Sequence, residues 1–207
     1  MEGIALIRQF SKCITKFKYS PIFLSIIRTK TKSYCQHNYS NEVEAAVNRQ
    51  IQAEQQAAQD YLNIAVVFFH PCVSQPGAGG YFMRMYEEEI GHMQDFIQYQ
   101  LLRGGNPIIS GLSAPTLYQS ITLLDAFKQA LSMEKGLTEL LEKLVSVAES
   151  MKDHHCADYV TSIFLTEQMR SISEIAHHVS KLTRLDHNEL AIYQYDLQLA
   201  LSFPYTN

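Results

Sequence analysis

Tryptophan is absent from this 207-residue chain, and only 9 glycines and 6 prolines interrupt it. Long stretches therefore carry neither breaker, which leaves room for long helices. No apolar run approaches the roughly 18 residues that a membrane-spanning helix requires. The four cysteines, Cys13, Cys35, Cys72 and Cys156, are scattered and form no CxxC pair. That spacing argues against a disulfide scaffold and against a thiolate zinc site, and it points to reduced spectator thiols in a reducing compartment. What is present is an apolar fraction of 46%, in a chain long enough for one domain with a substantial core.

Charge is distributed unevenly. Residues 1–37 carry Arg8, Lys12, Lys16, Lys18, Arg28, Lys30 and Lys32 against Glu2 alone, a net +6, so the overall −4 leaves −10 for the remainder. At 100° per residue Leu6, Ile7, Phe10, Cys13, Ile14 and Phe17 fall on one side of a helix, with Arg8, Lys12 and Lys16 opposite. A basic amphipathic helix of this kind lies in an anionic membrane interface. Followed by serines and threonines and nearly free of acid, it has the character of a mitochondrial transit peptide. The expectation is a leader over 1–37 that meets a membrane only transiently. The destination is then the mitochondrial matrix, with the cytoplasm as the alternative. The body is expected over 38–207.

From Asn41 the periodicity is helical. Val47, Ile51, Ala58, Ala65 and Phe68 form an inward stripe over about 41–69, interrupted by Glu54 and Tyr61. A second helix over about 79–104 turns Phe82, Met85, Glu89, His92, Phe96 and Tyr99 inward and stops at Gly104-Gly105. A third, about 122–150, aligns Phe127, Ala130, Glu134, Leu137, Leu141 and Leu144. A fourth, about 154–183, aligns Val160, Phe164, Gln168, Ser171 and Ile175. The stretch "ELAIYQYDLQLALS" (189–202) is a short fifth helix, too apolar to face water alone.

Each of the four stripes is broken by a polar residue near its midpoint. Helices joined by a short turn run antiparallel, so Glu54 comes level with Glu89 and His92, and Glu134 with Gln168. The 17-residue link 105–121 reaches roughly 55 Å when extended, enough to return along a bundle roughly 40 Å long. The expected fold is all-α: a four-helix bundle with one long crossover and a short fifth helix. Three carboxylates meeting inside it, with no lysine or arginine on the same stripes, require neutralisation, and bound dications supply it. Glu89-x-x-His92 puts a carboxylate and an imidazole on one helical face, the spacing of di-iron bundles. A set of oxygens with one nitrogen and no thiolate suits iron or manganese rather than a thiolate-rich zinc site, with zinc as a competitor for the same donors. Singly, His92 or Tyr61 would pass for core, and Glu87 and Glu88 for a solvated face. The convergence from four helices is what singles the site out.

The segments "NYSNEVEAAVNRQIQAEQQAAQDYL", "EEEIGHMQDFIQYQLLRGG", "ALSMEKGLTELLEKL" and "DYVTSIFLTEQMRSISEIAHHV" resemble the ferritin family, in particular its catalytic heavy-chain type, over about residues 38–202. The resemblance implies that Glu54, Glu89 and His92 hold a first iron, with Glu89 bridging. Glu134 would bind a second iron beside Gln168, with Glu88 and Tyr61 auxiliary. The implied reaction is oxidation of Fe(II) to Fe(III) by dioxygen at a di-iron centre, with ferric mineral stored in a hollow 24-subunit shell of one or more subunit types. Two rival readings are a structural shell subunit with a silent site and a DNA-protecting miniferritin. The ligand set argues against the first. The intra-bundle site and the fifth helix argue against the second, so no nucleic acid is expected as a partner.

Three departures from the family pattern stand out. In the three-fold channel Asp158 matches one acidic position, but Thr161 replaces the second, so slower iron access is expected, with His154 and His155 nearby. Gly91 and Gln94 stand where heavy chains often carry mineral-nucleating carboxylates. The glycine-rich start of the second helix, "QPGAGGY", is expected to be weak, since an interior Gly costs up to about 1 kcal/mol relative to Ala.

Overall fold

The computed structural model describes residues 33–114, 121–185 and 188–205; the amphipathic leader lies almost wholly outside them. Helix α1 spans Asn41–Phe69, α2 Pro76–Leu102 and α3 Leu123–Ser150. The fourth rod begins as α4, His154–Tyr159, passes through a π-helical segment, Val160–Leu165, and continues as α5, Thr166–Leu185. Helix α6, Glu189–Ser202, follows. Ser40, Thr122 and Asn188 cap α1, α3 and α6 by accepting from the backbone N–H groups of Val43, Asp125 and Ala191, which satisfies amides that the first turn leaves free.

Burial fixes the topology. One core cluster joins the end of α1 (Tyr61, Ile64, Phe68), the start of α2 (Tyr81, Phe82, Met85), the start of α3 (Phe127, Ala130) and the end of α5 (Ile175, Leu182). The other joins the start of α1 (Val43, Val47, Ile51), the end of α2 (Phe96, Tyr99), the end of α3 (Leu141, Leu144) and Cys156, Val160 and Phe164. Helices α2 and α3 thus begin at the same end and run parallel, so the connection between them returns along the bundle. Its described part lies along α1. Asn48, Gln52 and Gln56, one turn apart, donate to the carbonyls of Asn106, Gly111 and Ser113 at 3.1, 3.3 and 3.4 Å. This is the four-helix arrangement with one long crossover and a short fifth helix. No described helix is long and apolar enough to cross a membrane.

Two local expectations need correction. The fourth rod is not an uninterrupted α-helix. Cys156, Val160, Phe164 and Gln168 are all buried although they are spaced by four. An α-helix at 3.6 residues per turn would carry that row off the core face. The π segment, with its i→i+5 closure, winds less per residue and keeps the row in line; Thr166 Oγ1 donates to the Thr161 carbonyl five residues back, at 3.3 Å. Beyond it the inward row passes to Ile175, and Ser171 is only half-buried.

The second correction concerns the glycines that open α2, which are a docking surface rather than a weakness. A Cβ at Gly77 would collide with the Asp196 carbonyl, one at Gly79 with the Phe69 ring, and one at Gly80 with the Phe203 carbonyl. The bare backbone lets α6 and the chain after it seat on α2. Asp196, 4% exposed, accepts from Ala78 N at 2.7 Å. It thereby caps a helix whose own N-cap residue, Gln75, makes no side-chain bond.

Candidate metal centre

Between the two apolar clusters lies a polar layer supplied by all four rods. Glu54, Glu89, Glu134 and Gln168 are each at most 4% exposed, and Tyr61 is fully buried beside them. Helical periodicity accounts for the placement of Glu54, Glu89 and Glu134, each on the same inward row as the apolar residues on either side of it, and the π segment brings Gln168 into line with them.

The layer has two halves. In one, ligand-capable atoms of Glu54, Glu89 and His92 lie within 4.8 Å of one another. Glu89 Oε2 is 3.0 Å from His92 Nδ1, and Gln50 Nε2 donates to Glu54 Oε1 at 2.7 Å. Glu54 Oε2 is buried without a hydrogen-bond partner. In the other half Glu134 accepts from the Tyr61 hydroxyl at 2.5 Å and from the Gln168 amide, which also donates to the Glu134 carbonyl at 3.1 Å. Tyr61 thus reaches Glu134 on α3 rather than a carboxylate of its own helix, and together with Gln168 it fixes both oxygens of that carboxylate.

Burial pushes the carboxyl groups of Glu54 and Glu89 well above the usual carboxylate range, and the charge of a neighbouring carboxylate adds to it: Glu89 acting on Glu54, Glu134 on Glu89. Glu134 is raised by burial as well, offset in part by the bonds from Tyr61 and Gln168. An ionised carboxylate only accepts hydrogen bonds, so Glu54 and Glu89 facing each other must share either protons or cations. The observation that favours a cation is that one Glu54 oxygen is buried and meets no hydrogen-bond donor among the described residues. Oxygen donors with one imidazole and no thiolate fit iron.

A second cluster, Glu88, His92 and Glu167, shares the imidazole. His92 Nε2 is 3.3 Å from Glu167 Oε2, so the ring bridges the two clusters through its two nitrogens. Glu88 is half-buried here, while Glu87 is exposed. Arg84, one turn before Glu88, donates to it at 3.2 Å and to Glu174 at 2.8 Å. A cavity of about 550 Å³ opens beside these residues. The clusters are those of a di-iron-type site and support a ferroxidase-type active centre.

Sequence reasoning missed Glu167, Arg84 and Gln50. Gln50, buried one turn before Glu54, lies on the inward row, and that spacing would have found it; Glu167 and Arg84 are half-buried at the edge of their rows, where the sequence gives no such signal. Asp158 is not part of either cluster. It is exposed on α4, where it accepts from Ser162 Oγ at 3.3 Å, and Thr161, His154 and His155 are exposed near it.

Known proteins are similar to this chain over most of its length. The ferritin-like domain family matches residues 44–185. "Ferritin-1 heavy chain" of Schistosoma mansoni is 33% identical over 164 residues, covering 79% of this chain and 94% of that protein. "Soma ferritin" of Lymnaea stagnalis is 34% identical over 153 residues, 74% of this chain and 88% of that one. "Ferritin, middle subunit" of Salmo salar is 30% identical over 167 residues, 80% and 95%. With the bundle, its crossover and a carboxylate–histidine layer at mid-height, the chain belongs to the ferritin-like family.

Proposed function

We propose that this chain is a ferritin subunit of the heavy-chain, iron-oxidising type. Its substrates are Fe(II) and dioxygen, its product Fe(III) for storage as mineral inside a 24-subunit shell, and residues 1–37 deliver it to the mitochondrial matrix. The observation that carries the catalytic part is the buried cluster of Glu54, Glu89 and His92, in which one Glu54 oxygen meets no hydrogen-bond donor among the described residues.

In this reading Glu54, Glu89 and His92 hold one ferrous ion. Glu134, kept in place by Tyr61 and Gln168, serves a second with Glu89 between them. Bound iron supplies the electrons that dioxygen takes. The protein supplies the rest: carboxylates that release protons as cations arrive, an imidazole fixed by Glu89, and apolar layers above and below that exclude water. Glu88 and Glu167 extend the acidic surface from the centre towards solvent. The acidic body favours cation capture generally, and Thr161 beside Asp158 lowers the acidity of the channel through which iron would enter.

The test is oxygen consumption and ferric absorbance on adding Fe(II) to the purified protein, beside Glu89→Ala/His92→Ala. Removing both ligands should lower the initial rate by more than about 100-fold, because even changes to groups that only orient ligands cost 10–100-fold. Equal rates in the two proteins would favour the silent shell subunit. Sedimentation of the assembled protein tests the shell, and a fluorescent fusion of residues 1–40 that stayed in the cytosol would refute the leader's role.

A further inference from the structure

We propose that a chain of aromatic rings links the metal centre to the protein surface and carries single electrons, with Tyr159 and Tyr99 as its redox-active members and His155 as the proton acceptor at its outer end. The inference rests on the iron-oxidising reading above for the source of its oxidising equivalents.

The chain starts on the site's own imidazole. The His92 ring lies 5.6 Å from Phe164, edge to face, and Phe164 lies 5.6 Å from Tyr159. Tyr159 stacks on Tyr99 at 4.3 Å and 11°, and Tyr99 stacks on His155 at 5.8 Å and 17°. The π-helical segment builds the middle of this route. Tyr159 and Phe164 are five residues apart, a separation that places side chains on different faces of an α-helix, and the wider π turn brings the two rings together.

Packing alone does not account for the outer end. Tyr99 is 3% exposed, in a layer that a leucine would fill without a hydroxyl to satisfy. Its hydroxyl lies 3.2 Å from His155 Nδ1 and accepts from Arg103 Nη1 at 2.5 Å. A tyrosine that loses an electron must also lose its phenolic proton, and the exposed imidazole nitrogen at that oxygen takes the proton and can pass it to water. Arg103 is itself held by both oxygens of Asp153, at 3.0 and 2.9 Å, so it stays at its post.

The balance is as follows. Reduction of dioxygen to hydrogen peroxide takes two electrons and two protons; two ferrous ions supply the electrons when both halves of the site are filled, and water supplies the protons in either case. When only one is bound, Fe(II) gives one electron and becomes Fe(III). Tyr99 gives the second through Tyr159 and Phe164, becoming a neutral tyrosyl radical, and its proton passes to His155. A small one-electron donor of the thiol or ascorbate class in solution then restores the tyrosine. The relay prevents a half-filled site from releasing a one-electron oxygen product.

The test uses the full chain carrying Tyr61→Phe, which removes the tyrosine nearest the site. It is mixed with one ferrous ion per subunit in air and freeze-quenched for electron paramagnetic resonance. A tyrosyl radical is expected there and should vanish in Tyr61→Phe/Tyr99→Phe/Tyr159→Phe. Iron oxidised without any radical, or a radical that survives the added substitutions, overturns the relay; in the second case the donor lies elsewhere, for example at Tyr81. An iron-independent arm places a ruthenium photo-oxidant on the exposed thiol of Cys35, beside His155, after Cys13→Ser and Cys72→Ser. A flash should give a tyrosyl transient that Tyr99→Phe abolishes. If the unsubstituted chain oxidises no iron under the same conditions, the catalytic reading fails, and the flash alone decides for or against the relay.

Discussion

The two clusters share His92 and differ in nearly everything around it. Glu89 is 2% exposed, and one oxygen of Glu54 is buried with no hydrogen-bond donor among the described residues. Glu167, on the far side of the ring, is 45% exposed, and Glu88 already has Arg84 as a resident cation. Both sets are carboxylate–imidazole clusters of the same size. The difference lies in what neutralises them. Water and an arginine serve the outer one, whereas the inner one has only protons or what it binds. The inner cluster is therefore the one whose free energy depends on its ligand, and the outer one is a loosely held approach to it.

The largest effect should separate the two directly. Glu54→Ala removes a donor that nothing else replaces, and initial iron oxidation should fall by more than about 100-fold, beyond the 10–100-fold of an orienting group. Glu167→Ala should lower the same rate by no more than about ten-fold, the lower end of what steering a cation into a charged cleft contributes. Stopped-flow oxidation of both variants under one set of conditions makes the comparison. Equal losses would mean that the two clusters act as one site.

Stability gives the next test, with the opposite sign. Burial raises the carboxyl groups of Glu54, Glu89 and Glu134 in the folded chain, while in the unfolded chain they titrate near about 4.3. The folded state therefore holds protons that the unfolded state releases. These groups cost nothing below the unfolded value, and their penalty grows as pH rises through the folded ones. Glu54→Gln keeps the shape and removes one such charge, and the amide can donate into the cluster. The metal-free variant should be more stable than the parent by about 1–3 kcal/mol, the scale of an unsatisfied buried polar group. The gap should widen from acid towards neutral pH. Thermal unfolding across pH measures it, and saturating Mn(II), a dication that air oxidises far less readily, should stabilise the parent more than the variant. A variant less stable than its parent at neutral pH would show that the carboxylate is already satisfied without metal.

Much of this was legible in the sequence because the helices are long. Over 25 or more residues the inward rows of α1, α2 and α3 are defined by many leucines, alanines and aromatics, so a glutamate on the row cannot be mistaken for a surface one. Glu54, Glu89 and Glu134 were read that way and are buried. Three features were not legible, each for a physical reason. The π turn is invisible to a fixed 100° period, although the four-residue spacing from Cys156 to Gln168 was its trace. The worth of Gly77, Gly79 and Gly80 depends on α6 lying against them, which is a tertiary contact, and local propensity gave the opposite sign. Glu167 and Arg84 sit at the edge of the inward face, where periodicity does not distinguish a half-buried group from a solvated one. Their partners across the bundle, His92 for Glu167 and Glu174 for Arg84, are met only once helices α2 and α5 are placed side by side.

Arg84 offers the smallest and most specific test of the contrast. Its guanidinium lies 5.0 Å from both the Tyr81 and Phe203 ring centres and is forked onto Glu88 and Glu174, so it occupies charge that a metal ion would otherwise take. The pair is partly exposed, and such pairs contribute about 0.2–1 kcal/mol. Arg84→Gln should therefore raise cation affinity at the outer cluster by about two- to five-fold, within that same range. Titrating Mn(II) into the Glu54→Ala protein, with and without Arg84→Gln, isolates the outer cluster from the inner one. The gain should shrink as salt is raised, because an exposed charge is screened within about 10 Å at 0.1 M ionic strength. If Arg84→Gln leaves affinity unchanged at low salt, the arginine does not compete for the site, and the outer cluster is weak through exposure alone.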